Sequence, residues 1–242
     1  MSLSKNQLKL ITSLQQKKYR LKHNLFVAEG TKVVEEFLKS NFEVVQLFCI
    51  DASIYENVTN YILISENELQ KISTLSSPNN VIAIFKIPVA ENFKDEGLIL
   101  VLDGINDPGN FGTIIRLCDW FGIKKLICSE NTVDCYNSKV VQSSMGSLTR
   151  VSIIYTNIEN FINNTDLPVF VTLMEGENIY KMDLPKQAVV VMGNEANGIS
   201  ETILNLKNIP ISIPRFGNLQ QTESLNVATA TAILLSEFRR LN

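Results

Sequence analysis

Short apolar runs alternate with helix-like segments from residue 98 onward, and this alternation constrains the fold more than any other feature of the chain. The runs are almost continuously apolar and rich in branched residues, which is typical of strands covered on both faces. They lie at residues 98–102, 125–128, 151–155, 169–174, 188–192 and 211–213. The helical patterns between and after them cover residues 112–121, 138–148, 158–163, 199–206 and 225–240. The alternation predicts an α/β fold in which helices cover both faces of a mostly parallel sheet.

The N-terminal part of the chain predicts a small α/β domain of its own. Residues 5–23 place apolar side chains at helical spacing among basic ones, which predicts a helix. Ser65 and Glu68 predict a capping box at the start of a short helix. Strands are predicted at residues 44–50, 61–64 and 81–87. The following stretch, 88–97, is charged and poor in apolar residues, so we place a linker there, between domains at residues 1–90 and 97–242.

The composition of the 242-residue chain excludes several classes of protein. Hydrophobic residues make up 45% of it, which is enough to bury a core. No apolar run approaches the roughly 20 residues that span a bilayer, and no apolar signal segment follows Met1. We therefore expect a cytoplasmic protein without a membrane partner. The four cysteines form no close pair and His23 is the single histidine, so no metal site is expected.

Basic residues are concentrated at the N-terminus, although the whole chain is acidic. The first 24 residues contain five lysines, one arginine and no acidic residue, whereas the whole chain has a formal net charge of −3. A basic arm on an acidic body is typical of a protein that meets a polyanion with one end. The candidates for that contact include Lys17, Lys18 and Arg20. A solvated amphipathic helix whose lysines only keep the chain soluble is the alternative.

Three segments rich in asparagine and glycine follow predicted strands or open predicted helices. They are Asn106–Arg116, Gly193–Gly198 and Glu223–Asn226. In open α/β sheets, ligands bind at the carboxyl ends of strands and at helix N-termini, where backbone N–H groups are free. One such segment is a turn, but three in one domain predict a site. The second segment lacks both the glycine spacing of a dinucleotide fold and the Gly-Lys-Ser/Thr of a P-loop, so nothing in it favours NAD or a triphosphate.

Arg116 is the candidate anion-binding residue of the first segment. The predicted helix begins at Gly112, which places Arg116 near its N-terminus, where the helix dipole disfavours a cation. An arginine in that position is explained by an anion such as a phosphate, which its planar guanidinium suits. Pairing with Asp107 or Asp119 is the alternative.

Ser224 and Asn226 lie at the predicted start of the last helix, where free backbone N–H groups bind anions. A capping role for Thr222 or Ser224 is the alternative. Such a cap leaves an asparagine inside the first turn unexplained, because asparagine has a poor helix propensity. We therefore expect both residues to belong to the site.

The three segments resemble, in the same order, the signature motifs of the SpoU/TrmH family of RNA ribose methyltransferases, within the SPOUT superfamily. The matching residues are Asn110–Arg116, Met192–Gly198, and Ile213–Pro214 with Ser224–Ala228. Residues 141–148 resemble the family's segment between the first two motifs. The likeness covers residues 98–242, and residues 4–88 resemble the substrate-binding domain often fused in front. The chain departs from the family pattern at Ala196, where glycine is commoner, and in the longer stretch that contains residues 215–222.

The resemblance implies a deep trefoil knot in the C-terminal domain, S-adenosylmethionine held mainly by backbone of the knot, and a homodimer. It implies cofactor contacts at Leu173, Gly193, Ile213 and Leu225. It implies catalytic or RNA-site roles at Asn110, Arg116, Glu195, Ser224 and Asn226. Together with the basic charge of the N-terminal arm, it makes Lys17, Lys18 and Arg20 the candidates for RNA binding. The apolar face of Leu225–Phe238 is available for the dimer contact.

The resemblance predicts an enzyme that transfers a methyl group from S-adenosylmethionine to a ribose 2′-hydroxyl of structured RNA. Ribosomal or transfer RNA is the expected partner, with 23S rRNA favoured. The pKa of a free arginine lies above about 12, so Arg116 cannot be an ordinary general base. We expect it to clamp the phosphate beside the target ribose and to relay the proton jointly with that phosphate. A non-catalytic RNA-binding protein and a small-molecule or dinucleotide α/β enzyme are the alternatives.

Overall fold

The computed structural model describes residues 3–53, 55, 58–89, 96–218 and 224–240, and the chain divides into two compact units. One unit comprises Met1–Ala90 and Asp134–Thr149, and the other comprises Glu91–Val133 and Arg150–Asn242. The sequence prediction assigned residues 134–149 to the C-terminal domain, whereas the structure packs them with the N-terminal unit. The division into an RNA-binding domain and a methyltransferase domain stays a prediction.

The described residues form nine α-helices and ten strands. The helices are α1 (Lys5–Ser13), α2 (Lys17–His23), α3 (Thr31–Leu38), α4 (Glu66–Ile72), α5 (Pro108–Trp120), α6 (Ser138–Ser144), α7 (Ile158–Asn164), α8 (Glu201–Leu204) and α9 (Val227–Arg239). The strands are β1 (Leu25–Glu29), β2 (Val44–Cys49), β3 (Tyr61–Leu63), β4 (Val81–Lys86), β5 (Leu98–Leu102), β6 (Lys125–Cys128), β7 (Ser152–Tyr155), β8 (Val169–Asn178), β9 (Ala188–Met192) and β10 (Ile209–Ser212).

The N-terminal unit is built on a four-stranded sheet in the order β1-β4-β2-β3. β4 runs antiparallel to β1 and β2, whereas β2 and β3 are parallel. The apolar pattern did not predict β1, which ends in the buried Glu29. This carboxylate accepts hydrogen bonds from the hydroxyls of Ser73 (2.6 Å) and Thr74 (2.5 Å), so a charged residue lies within a buried strand at little cost. The predicted capping box of Ser65 and Glu68 is confirmed at the start of α4.

The helix predicted over residues 5–23 is two helices, α1 and α2. Arg20, the residue that holds the turn between them, is buried and donates from Nη1 to the carbonyl oxygens of Leu14 and Gln15, at 2.9 Å each. The same guanidinium donates to Asp134 Oδ2, from Nε at 2.8 Å and from Nη2 at 2.5 Å. Backbone carbonyls that a continuous helix would have used are therefore satisfied by a side chain.

The second unit is built on a six-stranded sheet in the order β10-β8-β9-β5-β6-β7. All five neighbouring pairs are parallel, which confirms the predicted sheet. At its centre β5 and β9 pair in register, with every residue of both strands buried. The carboxyl ends of these strands lie side by side at one edge of the sheet. The trefoil knot depends on how the chain threads, which strand order does not define, and it stays a prediction.

The apolar face of α9 is buried within its own unit. Leu234, Leu235 and Phe238 are each at most 2% exposed, and the ring of Phe238 meets that of Phe170 edge to face at 5.2 Å. The expectation that the apolar face of Leu225–Phe238 provides a dimer contact is therefore wrong for these three residues, because the fold already covers them.

Helix α5 begins earlier than predicted. Its N-cap is Asp107, whose carboxylate accepts from the backbone N–H of Asn110 at 2.7 Å, and Pro108 occupies the first turn. Proline is favoured in this position, where no intrahelical donor is needed. Arg116 consequently lies in the third turn rather than near the N-terminus, so the helix dipole does not oppose its charge. The dipole argument for an anion at Arg116 is wrong.

Among the described residues, no helix is long and apolar enough to cross a membrane. Within the same residues, histidine, cysteine and acidic side chains form no cluster that could hold a metal ion. All four cysteines are buried. Burial raises the pKa of the thiols of Cys49 and Cys118.

Candidate active site

The three predicted segments converge at the carboxyl ends of β5 and β9 and the N-termini of α5 and α9. The first segment carries Asn110 into the opening turn of α5. The second follows β9 and contains Glu195, and the third provides Asn226, the N-cap of α9. These three side chains are joined by hydrogen bonds, so segments far apart in sequence form one polar cluster.

Asn110 is the central member of this cluster, because its amide contacts both of the others. Its Nδ2 donates to Glu195 Oε1 at 3.1 Å, and its Oδ1 accepts from Asn226 Nδ2 at 2.9 Å. The second carboxylate oxygen of Glu195 accepts from the backbone N–H of Asn106 at 3.4 Å. The Glu195 carboxylate can only accept, so it faces the Nδ2 of Asn110, and the Asn226 Nδ2 can only donate, so it faces the Oδ1. The Asn110 amide therefore has one favoured orientation. Charge-assisted bonding to Glu195 strengthens that preference.

Asn194 shapes the loop that presents Glu195. Its Oδ1 accepts from the backbone N–H groups of Ala196 (2.9 Å) and Asn197 (3.0 Å), and its Nδ2 donates to the carbonyl of Gly104 at 2.6 Å. Its backbone exchanges two hydrogen bonds with Gly198, at 2.8 and 2.9 Å. The loop is thus closed on itself and tied to the segment after β5. Ala196, where glycine is commoner in the resembling family, contributes only its backbone N–H to these bonds.

Gly193 is required where this loop closes. A Cβ atom at this position would lie 2.3 Å from the carbonyl carbon of Gly198 and 2.4 Å from the nitrogen of Ile199. Both neighbours are backbone atoms, so neither moves out of the way as a flexible side chain would. Gly193 is therefore required for tight closure of the loop beside the adjoining cavity, and its role in cofactor binding stays a prediction.

A cavity of about 1070 Å³ opens beside the polar cluster. This volume is slightly above the roughly 300–1,000 Å³ typical of small-molecule sites. Its wall contains all four residues predicted to bind the cofactor, together with two predicted catalytic residues. They are Leu173, Gly193, Ile213 and Leu225, with Glu195 and Ser224. Six of the nine residues that the family resemblance assigned to the cofactor and the reaction thus line the cavity, and Asn110 and Asn226 join them through the polar cluster.

Sequence reasoning missed several residues of the cavity. Thr172 and Met174 flank Leu173 on β8, Met192 ends β9, and Asn194 follows Gly193. Ala230 and Leu234 contribute from α9, within the stretch Leu225–Phe238 whose apolar face was considered for a dimer contact. The residues on β8 and β9 could have been found from the ends of the predicted strands, because the carboxyl ends of parallel strands form ligand sites.

Arg116 is exposed on α5, and its expected partner Asp119 is engaged elsewhere. Asp119 Oδ2 accepts from Nε of Arg150 at 2.9 Å. Arg116 does not line the cavity, whereas Asn110, two turns earlier on the same helix, lies in the polar cluster. The predicted role of Arg116 in holding RNA phosphate is compatible with its exposure to solvent and stays a prediction.

The residues predicted to bind RNA in the N-terminal arm separate into two groups. Lys17 and Lys18 are exposed on α2, and Lys18 Nζ lies 4.8 Å from the ring centroid of Tyr19. The Arg20 side chain is only 3% exposed and pairs with Asp134, itself 14% exposed. The assignment of Arg20 to RNA contact is therefore corrected: its charge is neutralised inside the unit.

The chain is similar to known proteins in both sequence and structure. The sequence model of the SpoU rRNA Methylase family matches residues 97–236, and that of the MRM3-like substrate binding domain matches residues 5–83. The 23S rRNA (guanosine(2553)-2′-O)-methyltransferase RlmP of Bacillus subtilis is 29% identical over 235 residues, covering 93% of each chain.

Two solved structures share the fold over nearly the whole chain. A TrmH-family protein from Porphyromonas gingivalis superposes with a TM-score of 0.90 at 36% identity, covering 99% of both chains. An AdoMet-bound rRNA methyltransferase from Sinorhizobium meliloti superposes with a TM-score of 0.86 at 28% identity, covering 99% of this chain and 97% of that one. The matched sequence model, these structures and the convergence of the three motifs agree, and the chain belongs to the SpoU rRNA methylase family.

Proposed function

We propose that this protein transfers a methyl group from S-adenosylmethionine to a ribose 2′-hydroxyl of RNA. The observation that carries the proposal is the Asn110 amide, held between Glu195 and Asn226 beside a cavity large enough for a nucleoside cofactor. The proposal is supported by the RlmP relative, named as a 2′-O-methyltransferase, and by the AdoMet bound in the Sinorhizobium structure.

The cavity residues fit this cofactor. Leu173, Ile213 and Leu225 supply apolar wall for a flat adenine ring, and the loop from Gly193 supplies backbone groups without a side chain in the way. The Glu195 carboxylate in the same wall is compatible with a positively charged ligand. S-adenosylmethionine would supply a methyl group on its sulfonium for in-line transfer to the ribose oxygen, with S-adenosylhomocysteine as the leaving group.

The chain's own residues would position the ribose and assist loss of its proton. Asn110, whose orientation is set by Glu195 and Asn226, would direct its amide toward the ribose or the neighbouring phosphate, and Ser224 at the cavity wall would hold the same nucleotide. Arg116 would bind the phosphate beside that ribose, and the hydroxyl proton would pass to this arginine–phosphate pair. Such positioning contributes much of the rate in reactions between two bound groups.

We infer that the substrate is structured ribosomal or transfer RNA, with 23S rRNA favoured. The support is the 23S rRNA activity named for the RlmP relative, which is matched over nearly its full length. Exposed Lys17 and Lys18 would contact the RNA backbone. A cytoplasmic location belongs to the same proposal.

A homodimer formed through the C-terminal domain is also proposed. Trp120, at the end of α5, is 84% exposed, and tryptophan is enriched at protein interfaces. Sedimentation at several concentrations tests the dimer, and a monomer at micromolar concentration rejects it.

The decisive experiment supplies tritiated S-adenosylmethionine and deproteinised rRNA from a strain that lacks the gene. Label should enter the RNA, and the modified ribose should resist alkaline cleavage at one position. A DNA of the matching sequence, which lacks the 2′-hydroxyl, is the control and should accept no label. RNA binding without transfer to rRNA or tRNA would support the non-catalytic alternative. Stabilisation by NAD but not by S-adenosylhomocysteine in a thermal shift would support a dinucleotide enzyme.

A further inference from the structure

Two exposed aromatic residues lie beside each other in the C-terminal unit, and nothing in the mechanism above uses them. Phe216, in the segment after β10, is 82% exposed, and Tyr180, in the short 3₁₀ turn after β8, is 42% exposed. Their ring centroids are 6.5 Å apart, with the planes inclined by 31°. This distance lies near the outer end of the roughly 4.5–7 Å range of aromatic pairs, so the rings leave much of their faces open.

The pair borders the cavity of the active site. Arg215 and Gly217, on either side of Phe216 in sequence, both line that cavity, whereas Phe216 and Tyr180 do not. A ribose placed in the cavity for methylation would therefore have its neighbouring nucleotides close to Phe216. Lys181, exposed next to Tyr180, and Arg215 add positive charge near the two rings.

Nucleic acid is the ligand that this combination of groups fits. Unpaired bases stack on aromatic side chains in RNA recognition, and nearby cations hold the phosphates between them. A phenylalanine held out in solvent at the rim of a cavity gains stability when a flat apolar surface covers it. The bases that flank a methylated ribose present such a surface.

We propose that Tyr180 and Phe216 form an aromatic platform that stacks an unpaired nucleobase next to the nucleotide being methylated. The inference rests on the proposed function, since it requires an RNA ribose in the cavity. It assigns a substrate-recognition role to Phe216, a described residue of the stretch in which this chain departs from its family.

The test compares Phe216→Leu and Tyr180→Leu, singly and together, with Phe216→Trp. Leucine keeps an apolar side chain without a π-face, and the exposed positions tolerate either change. Loss of one base stack should raise the KM for rRNA about 5- to 150-fold while kcat changes little. Phe216→Trp should keep the wild-type KM. The dissociation constant for S-adenosylhomocysteine, measured by calorimetry, should not change.

A short single-stranded RNA containing 2-aminopurine provides a second readout that does not depend on turnover. Its fluorescence should be quenched by the wild-type protein and by Phe216→Trp, and not by the double leucine variant. An unchanged KM in the leucine variants overturns the platform. Weaker S-adenosylhomocysteine binding in them overturns it as well, because Phe216 would then cover the cofactor. Failure of the wild-type protein to methylate any RNA rejects the proposed function. In that case, fluorescence quenching by the wild-type protein and not by the double leucine variant would still show that the two rings stack a base.

Discussion

Asn226 Nδ2 donates a hydrogen bond to Asn110 Oδ1 at 2.9 Å, across 116 residues of sequence. The other end of the same Asn226 amide caps α9, because its Oδ1 accepts from the backbone N–H groups of Ala228 (3.0 Å) and Thr229 (3.2 Å). One side chain thus fixes the start of the last helix and the orientation of the central residue of the polar cluster. Helix geometry at α9 and site geometry at α5 are therefore coupled through a single amide.

Substitutions of Asn226 separate these two functions. Asn226→Asp keeps a capping oxygen but removes the Nδ2 donor, so stability should stay within about 0.5 kcal/mol while methyl transfer falls about tenfold or more. Asn226→Ala removes both, and should also lower the free energy of unfolding by about 1 kcal/mol. Urea denaturation and single-turnover methyl transfer check the two effects. Full activity in Asn226→Asp would show that the bond to Asn110 has no catalytic role.

Arg116 tests the assignment of phosphate binding on α5. Arg116→Ala should lower methyl transfer by orders of magnitude, and Arg116→Lys should recover little, because lysine keeps the charge but loses the bidentate fork. The affinity for S-adenosylhomocysteine should not change, since Arg116 lies outside the cavity wall. Lys124→Ala, at an exposed cation of the same unit, is the control for loss of one positive charge. Near-normal turnover in Arg116→Ala would remove the arginine from the mechanism.

The strands of the second unit were predictable because a continuous apolar run by itself indicates a buried strand, whatever residues surround it. Every predicted strand of the second unit is present, and β7, β8 and β10 differ from prediction only in their bounds. The start of α5 was missed because Pro108-Gly109-Asn110 is also a turn signal, and only the bond from the Asn110 N–H to the Asp107 carboxylate identifies a cap. Helix boundaries depend on such single bonds, which composition does not reveal.

The burial of Arg20 was not predictable from sequence for a different reason. Its partner Asp134 lies 114 residues away, in the segment of the chain that returns to the N-terminal unit. Local charge counting places all basic residues of the arm on the surface, as is normal for lysine and arginine. A long-range ion pair reverses that expectation for Arg20, while Lys17 and Lys18 follow it.

The buried ion pair makes a strong prediction for stability. Asp134→Ala leaves the Arg20 guanidinium buried without its carboxylate, and should lower the free energy of unfolding by about 3–5 kcal/mol. The matched control is Asp119→Ala, which breaks the bond to the 47% exposed side chain of Arg150 and should cost at most about 1 kcal/mol. Equal effects of the two changes in urea denaturation would contradict a structural role for Arg20.

Lys17 and Lys18 are predicted to hold RNA backbone by charge. Replacing both with glutamine should weaken rRNA binding, and should reduce the slope of log K against log salt by about 1–2. Lys71→Gln, an exposed lysine on α4 of the same unit, should leave the slope unchanged. Filter binding between low and moderate salt measures both. An unchanged slope in the double variant would identify the arm as a solubility feature.

Gly193 and Gly217 both lie at the cavity, yet alanine should act differently at the two positions. A Cβ at Gly193 would lie 2.3 Å from backbone of the same loop, whereas a Cβ at Gly217 would meet no atom within 4 Å. Gly193→Ala should therefore open the loop that presents Glu195, and S-adenosylhomocysteine affinity and methyl transfer should both fall at least tenfold. Gly217→Ala should leave the Gly193 loop closed, because the added methyl group would meet no protein atom within 4 Å, and S-adenosylhomocysteine affinity should fall much less than in Gly193→Ala. Calorimetric titration distinguishes the two variants, and equal affinities would mean that tight closure of the Gly193 loop is not what holds the cofactor.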